Sequence, residues 1–425
     1  MRTRNRRRPS ALALFVCGLA ALFYLYEFTL RVSIGVMLHQ LMHDLAIEGA
    51  AIGFISSLYF YAYAPMQIPA GLLLDRYGPR LLLSVMIIVC ASGALLFSFT
   101  DGILLASIAR LMMGFGSAFA FVGVLLLIAR WCPPHYFALI AGLTQLMGSV
   151  GAIAGEVPVH YAVYAVGWRH TMVYLAIFGF ILAFILWASV RDHPRGMRDH
   201  HEGMLGKLST WKCLKKVFKR PQTWWVSIHA FCCWTPVSIF ASLWGASALQ
   251  SLYFFSPALA SSAIAMVWIG IACGSPFIGW LSDRIGKRKR LLVLACTIGM
   301  ISTASILFLP LLTPMVFIAL FFFGVGASGQ SLTFAVVKEN NPPAIVGTAM
   351  GFNNMAVVIG ATIFQPLVGF MLRASGGIHV NGATHYAASA YREALVVMPI
   401  IYLIGIIISV WKVKETHCKP QYRTR

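Results

Sequence analysis

Long apolar runs alternate with short polar turns along almost the whole chain. Runs of ~20 residues can cross a ~30 Å hydrocarbon core as helices, and helices satisfy every backbone amide within the segment. The pattern therefore predicts an all-α polytopic membrane protein with twelve transmembrane helices. We place them at residues 12–38, 50–74, 80–99, 102–129, 135–158, 168–190, 222–249, 257–281, 290–310, 313–337, 344–372 and 391–411.

Composition supports this prediction. Of the 425 residues 59% are hydrophobic and only 11% are charged, and the mean hydropathy is +0.78. A soluble domain has far more charge and less apolar surface. We therefore expect an integral, multi-pass membrane protein.

The formal net charge of +20 raises the question of nucleic-acid binding, and the distribution of the charge answers it. Most Lys and Arg residues fall in segments that share one side of the membrane if the N-terminus is cytoplasmic. This is the positive-inside rule, and it predicts that both termini are cytoplasmic. The basic residues then face the anionic inner leaflet, and no nucleic-acid partner is expected.

One polar turn occurs twice. Gly71–Arg80 reads GLLLDRYGPR, and Gly279–Arg288 reads GWLSDRIGKR about half the chain later. In both copies a glycine precedes the Asp-Arg pair and a second glycine follows it, and each copy lies between two long apolar segments. A single Asp-Arg turn between two membrane helices would be a weak signal. Its repetition once in each half of the chain is a strong one.

This repeated turn resembles the signature loop of the major facilitator superfamily. The resemblance covers nearly the whole chain, because the segments outside the loops fit a count of twelve helices. The resemblance implies a major facilitator fold of two six-helix bundles that transports by alternating access. It divides the chain into residues 1–190, the N-terminal six-helix bundle, and 191–221, a basic cytoplasmic linker. Residues 222–425 then form the C-terminal six-helix bundle with a cytoplasmic tail.

The resemblance also assigns gating residues to the two turns. In the family the aspartate pairs with nearby basic groups and with the positive end of a helix. The resemblance implies a charge relay formed by Asp75 with Arg76 and Arg80. Pro79 stands where the family usually has a basic residue, so this part of the charge relay departs from the family pattern. The predicted gating residues are Gly71, Asp75, Arg76, Gly78, Arg80, Asp283 and Arg284.

Helix one contains two charges within its apolar run. Glu27 and Arg31 are spaced i,i+4, so they share a helix face and can pair. Tyr24 lies on the same stripe and is also a predicted substrate-binding residue. A charge near mid-bilayer costs ~2.5–3.5 kcal/mol even on the lenient insertion scale. The pair is either a structural link to neighbouring helices or a substrate contact, Arg31, beside a proton-titrating carboxylate, Glu27. We favour the second hypothesis, because helix one lines the cavity in the family that the chain resembles.

Three further polar residues in the first half are candidates. Arg110 opens an R-x-x-x-G-x-G run that resembles a family motif linked to proton transfer. Gln145 is either a substrate ligand or interhelical glue. Glu156, near the outer end of its helix, is either a second proton site or a snorkelling gate residue. Tyr59 and Tyr63 share a face, and for them packing is the favoured interpretation.

The second half offers amides, an imidazole and an indole rather than charges. The predicted substrate-binding residues there are His229, Trp234, Gln330, Asn353 and Asn354. A lone histidine is more often structural, which weighs against His229. The expected cavity would have charged residues on the side formed by the first half and uncharged polar residues on the side formed by the second half. Such a cavity favours a small zwitterion or polar solute over a dianion.

The prediction is a secondary active transporter of a small polar organic solute such as an amino acid, dipeptide or nucleoside. We expect it to be coupled to protons, monomeric and located in a bacterial inner (plasma) membrane. Within helix one, residues 26–33 (YEFTLRVS) also resemble the branch of phagosomal nutrient transporters near the lysosomal dipeptide carriers. A facilitative carrier, a drug or siderophore exporter, and a non-transporting receptor on the same fold remain open. No enzyme activity and no cofactor are expected, and the nine cysteines show no metal-ligand spacing.

Overall fold

The computed structural model describes residues 9–45, 49–193, 210–375, 378–380 and 383–421. Its residues group into two compact units. The first comprises Met1–Lys219 and Asn341–Phe352, and the second comprises Arg220–Asn340 and Asn353–Arg425. The short segment Asn341–Phe352 is therefore separated in sequence from the rest of its unit.

The described part of the chain up to residue 219 is mainly helical. Its helices are α1 (Ala11–Asp44), α2 (Gly49–Tyr77), α3 (Pro79–Ser98), α4 (Ile103–Ser117), α5 (Ala120–Trp131), α6 (Phe137–Ser189) and α7 (Thr210–Phe218).

The described part of the remainder is mainly helical and contains one short hairpin. The elements are α8 (Pro221–Ile239), a π-helical turn (Phe240–Trp244), α9 (Gly245–Tyr253), α10 (Pro257–Ile285), α11 (Lys289–Phe308), α12 (Thr313–Ala327), α13 (Gln330–Asn340), α14 (Val346–Ala374), β1 (Ile378–Val380), β2 (Ala383–His385), α15 (Ala388–Leu395) and α16 (Val397–Trp411).

Among the described residues, eleven helical segments are long and apolar enough to cross a membrane. The long helix α2, which carries Pro65 and Pro69, is not counted among them. With α2 included, the arrangement fits the twelve predicted passes, and the all-α prediction is confirmed. The antiparallel hairpin, in which His379 pairs with Thr384, lies in a segment that the sequence pattern predicted as loop.

The boundary between the predicted fifth and sixth helices differs from expectation. Helix α6 continues through the residues that were predicted to connect them, and its backbone breaks only at Gly167, where φ is +80°. A positive φ is readily adopted by glycine and rarely by other residues, so one residue makes the turn that a loop was expected to make.

Close approach of α2 and α4 depends on Gly114. A Cβ added at this position would lie 2.1 Å from the carbonyl oxygen of Tyr59, closer than any real contact. Small residues allow membrane helices to pack backbone against backbone. The contact sets the distance between the helices that carry Tyr59 and Arg110.

Candidate functional site

The two charges of helix α1 form an ion pair. A terminal nitrogen of Arg31 donates to Oε1 of Glu27, as the i,i+4 spacing permits. Glu27 is fully buried, and the Arg31 side chain is 14% exposed. Both groups lie within a predicted span, so the pair neutralises charge where isolated charge is costly.

Tyr59 of α2 joins this pair from a second helix. Its hydroxyl donates to Oε1 of Glu27 over 2.7 Å. The Arg31 guanidinium also lies over aromatic rings, 4.4 Å from the centroid of Phe28 and 4.7 Å from that of Tyr63. Cation–π contacts of this kind stabilise a desolvated guanidinium while leaving its edge able to donate hydrogen bonds.

Arg110 of α4 approaches the same tyrosine from a third helix. Its guanidinium carbon lies 4.8 Å from the centroid of Tyr59, and its Nη1 donates to the carbonyl oxygen of Leu30 over 3.2 Å. Arg110 is fully buried. Glu27, Arg31, Tyr59 and Arg110, here termed the Glu27 cluster, thus contain two guanidinium groups and one carboxylate.

The Glu27 cluster has unused hydrogen-bonding capacity. Among the described residues, Oε2 of Glu27 and Nε of Arg31 are buried without a hydrogen-bond partner. Leaving such groups unsatisfied costs about 1–3 kcal/mol each, and more when they are charged. The arrangement can therefore accept a proton at Glu27 and an additional acceptor atom at Arg31.

Tyr24 and Gln145 are brought together beside this cluster. The Tyr24 hydroxyl donates to Oε1 of Gln145 over 3.3 Å, and its ring stacks on Phe121 at 4.7 Å. Gln145 is thereby positioned by an aromatic side chain of α1. The side chain of Glu156, the other predicted proton site, lies outside the described residues.

In the second unit, Asn353 and Gln330 differ in their partners. Asn353 is fully buried, accepts from Ser227 over 3.1 Å and donates to Thr333 over 2.9 Å. Gln330 is also buried, and its Oε1 has no hydrogen-bond partner among the residues that the structure describes. Gln330 therefore has an acceptor available for a ligand.

The other candidates in the second unit are buried in their own bundle. His229 contacts the Ser409 hydroxyl at 2.7 Å, and Trp234 packs edge-on against Trp268 at 6.5 Å. Asn354 is 4% exposed. Their assignment as substrate ligands stays a prediction.

Asp75 of the first repeated turn caps a helix. Its carboxylate accepts from the backbone nitrogens of Gly347 at 2.8 Å and Thr348 at 2.7 Å, and from the Thr348 hydroxyl at 2.8 Å. These residues begin α14, so the carboxylate lies where helix dipole and free N–H groups favour an anion. Gly71 allows this approach, because an added Cβ would lie 2.4 Å from the carbonyl oxygen of Gly347.

The basic residues of this turn have other contacts. Arg80 donates from Nε to the carbonyl oxygen of Trp187 at 3.0 Å, and its backbone nitrogen donates to Asp192 at 2.8 Å. Arg76 is exposed, and Gly78 adopts a positive φ of +83°. A direct relay between Asp75 and Arg76 or Arg80 stays a prediction.

The second repeated turn is organised around Arg288. Its guanidinium is fully buried and bonds to Asp283 at 2.7 Å, to Glu339 at 2.8 Å and to Ser282 at 2.9 Å. Burial alone would lower the pKa of Arg288, and the two carboxylates outweigh that effect and raise it. Arg284 instead lies over the ring of Trp280.

The chain after α16 joins this second turn through Glu415. Its carboxylate accepts from the backbone nitrogens of Arg288 at 2.8 Å and Lys289 at 3.0 Å. Burial raises the pKa of Glu415, but these bonds and one from His417 outweigh it and lower the pKa below its usual value. The carboxylate therefore stays ionised near neutral pH.

Sequence analysis did not identify Tyr59, Arg288, Glu339 or Glu415 as site residues. For Tyr59 the available signal was its place on one helix face with Tyr63, which equally suits packing. Arg288 stands in a run of four basic residues, Lys287–Arg290, and nothing in that run distinguishes the buried one. Glu339 and Glu415 acquire their roles only through contacts distant in sequence.

Comparison with known proteins agrees with the helix pattern and repeated turns. The Major Facilitator Superfamily profile matches residues 16–255 and 226–422. The chain is therefore a membrane transporter of the secondary class. It belongs to the major facilitator superfamily and is an integral multi-pass protein of the bacterial inner membrane.

Several curated relatives align over most of their length. The probable sulfoacetate transporter SauU of Cupriavidus necator is 24% identical over 85% of this chain and 87% of its own. The probable galactarate/D-glucarate transporter GudP of Escherichia coli is 23% identical, over 92% and 91%. The hexuronate transporter of Bacillus subtilis is 24% identical, over 87% and 88%.

Solved structures share the fold. The E. coli fucose:proton symporter FucP superposes with a TM-score of 0.74 at 16% identity, covering 95% of this chain and all of the other. The proton:xylose symporter XylE gives 0.73 at 16% identity, covering 96% and 97%. At this identity the likeness concerns the fold alone.

Proposed function

We propose that this chain is a proton-coupled transporter of a small organic anion that bears a carboxylate or sulfonate group. The observation that carries the proposal is the Glu27 cluster, in which two guanidinium groups approach one tyrosine ring and only one carboxylate is present. With Glu27 ionised, the cluster has a formal charge of +1. With Glu27 protonated, the charge rises to +2.

Proton coupling follows from competition for Arg31. An ionised Glu27 occupies the guanidinium edge that an anionic substrate needs. Protonation of Glu27 removes the opposing charge, and Arg31 can then donate to the substrate, since charge-assisted bonds to carboxylates are the strong ones. Substrate and proton would bind together and leave together, which is the requirement for symport.

The names of the relatives support the anionic class. Sulfoacetate, galactarate, glucarate and hexuronate all carry an acidic group, and the chain aligns over most of each of those transporters. The proposal therefore replaces the zwitterion or nucleoside favoured by the sequence pattern. An amino acid or dipeptide could still present its carboxylate to Arg31, so these compounds belong in the test.

The test is uptake by reconstituted vesicles with and without an inward proton gradient. Labelled sulfonates, aldarates and hexuronates form one pool, and amino acids and dipeptides form the other. We expect gradient-driven accumulation of the first pool, abolished by an uncoupler. Accumulation of the second pool alone would contradict the anion assignment.

Two variants separate binding from coupling. Glu27→Gln mimics the protonated state, so it should still exchange substrate across the membrane but lose uphill accumulation. Arg31→Lys should weaken both, because an ammonium lacks the planar fork of donors. Arg169→Lys is the matched control, since Arg169 bonds to the carbonyl oxygen of Thr100 outside the cluster. Full proton-driven accumulation by Glu27→Gln would refute the coupling role.

A further inference from the structure

Three potential metal ligands from two helices meet inside the second unit. His229 and Cys233 lie one turn apart on α8, and Cys296 lies on α11. All three side chains are fully buried. The two sulfurs are 3.8 Å apart, and Cys296 Sγ lies 3.9 Å from Nε2 of His229.

These separations match those around a bound ion. Metal–sulfur bonds of ~2.3 Å and metal–nitrogen bonds of ~2.0–2.1 Å place neighbouring ligand atoms roughly 3.6–4.0 Å apart in tetrahedral or trigonal geometry. The three ligand atoms all lie within 4.8 Å of one another. An ion could therefore bind with only small side-chain movements.

The histidine is also held as a metal ligand would be. Its Nδ1 lies 3.2 Å from the carbonyl oxygen of Gly405 and 2.7 Å from the Ser409 hydroxyl. Donation from Nδ1 to such an oxygen fixes the tautomer in which Nε2 carries the free lone pair. Both ring nitrogens lie about equally far from Cys296 Sγ, Nδ1 at 4.0 Å and Nε2 at 3.9 Å, so the contacts of Nδ1 are what favour Nε2 as the ligand atom.

Two residues of α16 border this group. Tyr402, one turn before Gly405, is fully buried, and its hydroxyl has no hydrogen-bond partner in the described part of the chain. Gly405 keeps the adjacent space open, because an added Cβ would lie 2.9 Å from Cys296 Sγ.

We propose that His229, Cys233 and Cys296 bind one thiophilic metal ion of the Cu(I) class and so tie α8 to α11. Soft thiolate ligands select Cu(I) or Zn(II), and structural Zn(II) sites almost always have four protein ligands. Three donors in a dry site favour Cu(I). Both thiols lose their protons to solvent on binding, so the loaded site has a formal charge of −1. The site is independent of the Glu27 cluster.

The test is titration of the reduced, purified full-length protein with Cu(I) against a chromophoric Cu(I) chelator, with bound metal counted by mass spectrometry. We expect one equivalent per chain, lost in Cys233→Ser and in Cys296→Ser and at least tenfold weaker in His229→Gln. Cys232→Ser is the matched control, since Cys232 is the adjacent buried thiol and lies outside the three-residue group. It should bind like the unaltered protein.

X-ray absorption of the copper-loaded unaltered protein gives a readout that does not depend on the variants folding. It should show two sulfur ligands and one nitrogen ligand. Undiminished copper binding by either serine variant, or coordination without sulfur, would overturn the proposal. Zn(II) binding at these residues with no Cu(I) binding would overturn the choice of metal class.

Discussion

Replacing Glu339 by glutamine removes the carboxylate that holds the buried Arg288. Glu339 accepts from Nε of Arg288 at 3.2 Å and from Nη2 at 2.8 Å, and it also accepts from the Thr416 hydroxyl. Glutamine keeps nearly the same shape and one acceptor oxygen. The substitution therefore tests the charge and leaves the packing almost unchanged.

The expected magnitude follows from burial. Removing one partner of a buried ion pair costs about 3–5 kcal/mol, because the remaining charge stays desolvated. Asp283 still contacts Arg288, so we expect the lower end, about 3 kcal/mol. For a unit of 150–250 residues this corresponds to a fall in Tm on the order of 6–12 °C.

The assay is thermal unfolding of the purified protein in one detergent at neutral pH, followed by tryptophan fluorescence or thiol-reactive dye. Glu415→Gln is the matched control, since Glu415 also binds beside Arg288 but is only half-buried and contacts backbone nitrogens. Its Tm should fall by less than half as much. Equal shifts for the two variants, or no shift for Glu339→Gln, would refute the argument that burial sets the loss.

The remaining predictions concern the Glu27 cluster, helix packing and pH. Tyr59→Phe keeps the ring and loses the bond to Glu27, so transport should persist while its pH profile shifts; an unchanged profile would exclude Tyr59 from coupling. Gly114→Ala should separate α2 from α4 and lower transport at least tenfold, whereas Gly18→Ala, with nothing within 4 Å of an added Cβ, should leave transport and Tm unchanged. The pKa of Glu415 in the folded protein is lowered from its ordinary value of 4.5. The ionised carboxylate therefore stabilises the fold fully above pH 4.5, and this stabilisation is lost as the pH falls through the pKa of the folded state. The Tm difference between unaltered protein and Glu415→Gln should therefore close below pH 4.5, and a constant difference would contradict this.

Features set by local sequence were predictable. Apolar runs long enough to span a membrane predicted the helices, and the repeated Asp-Arg turn predicted the family. The ion pair between Glu27 and Arg31 could also be anticipated, because an i,i+4 spacing is fixed by helix geometry alone. Each of these depends on residues close together in the chain.

Features that depend on distant residues were not predictable. His229 and Cys233 are also spaced i,i+4, but the third ligand, Cys296, comes from a helix that begins much later, so no motif spacing marks the group. Arg288 is likewise indistinguishable in sequence from its basic neighbours. Its burial depends on Glu339, which tertiary packing alone brings near. The substrate-binding assignments remain predictions for the same reason.

The discontinuous first unit has a consequence for biogenesis. The partners of Asp75 are Gly347 and Thr348, in the segment Asn341–Phe352 that completes this unit. During synthesis, at roughly 5–20 residues per second, the carboxylate of Asp75 must wait on the order of ten seconds or longer before these N–H groups have been made. A nascent chain stalled before Gly347 therefore exposes an unfinished helix-capping site, which is a surface that a membrane chaperone or quality-control protease could recognise.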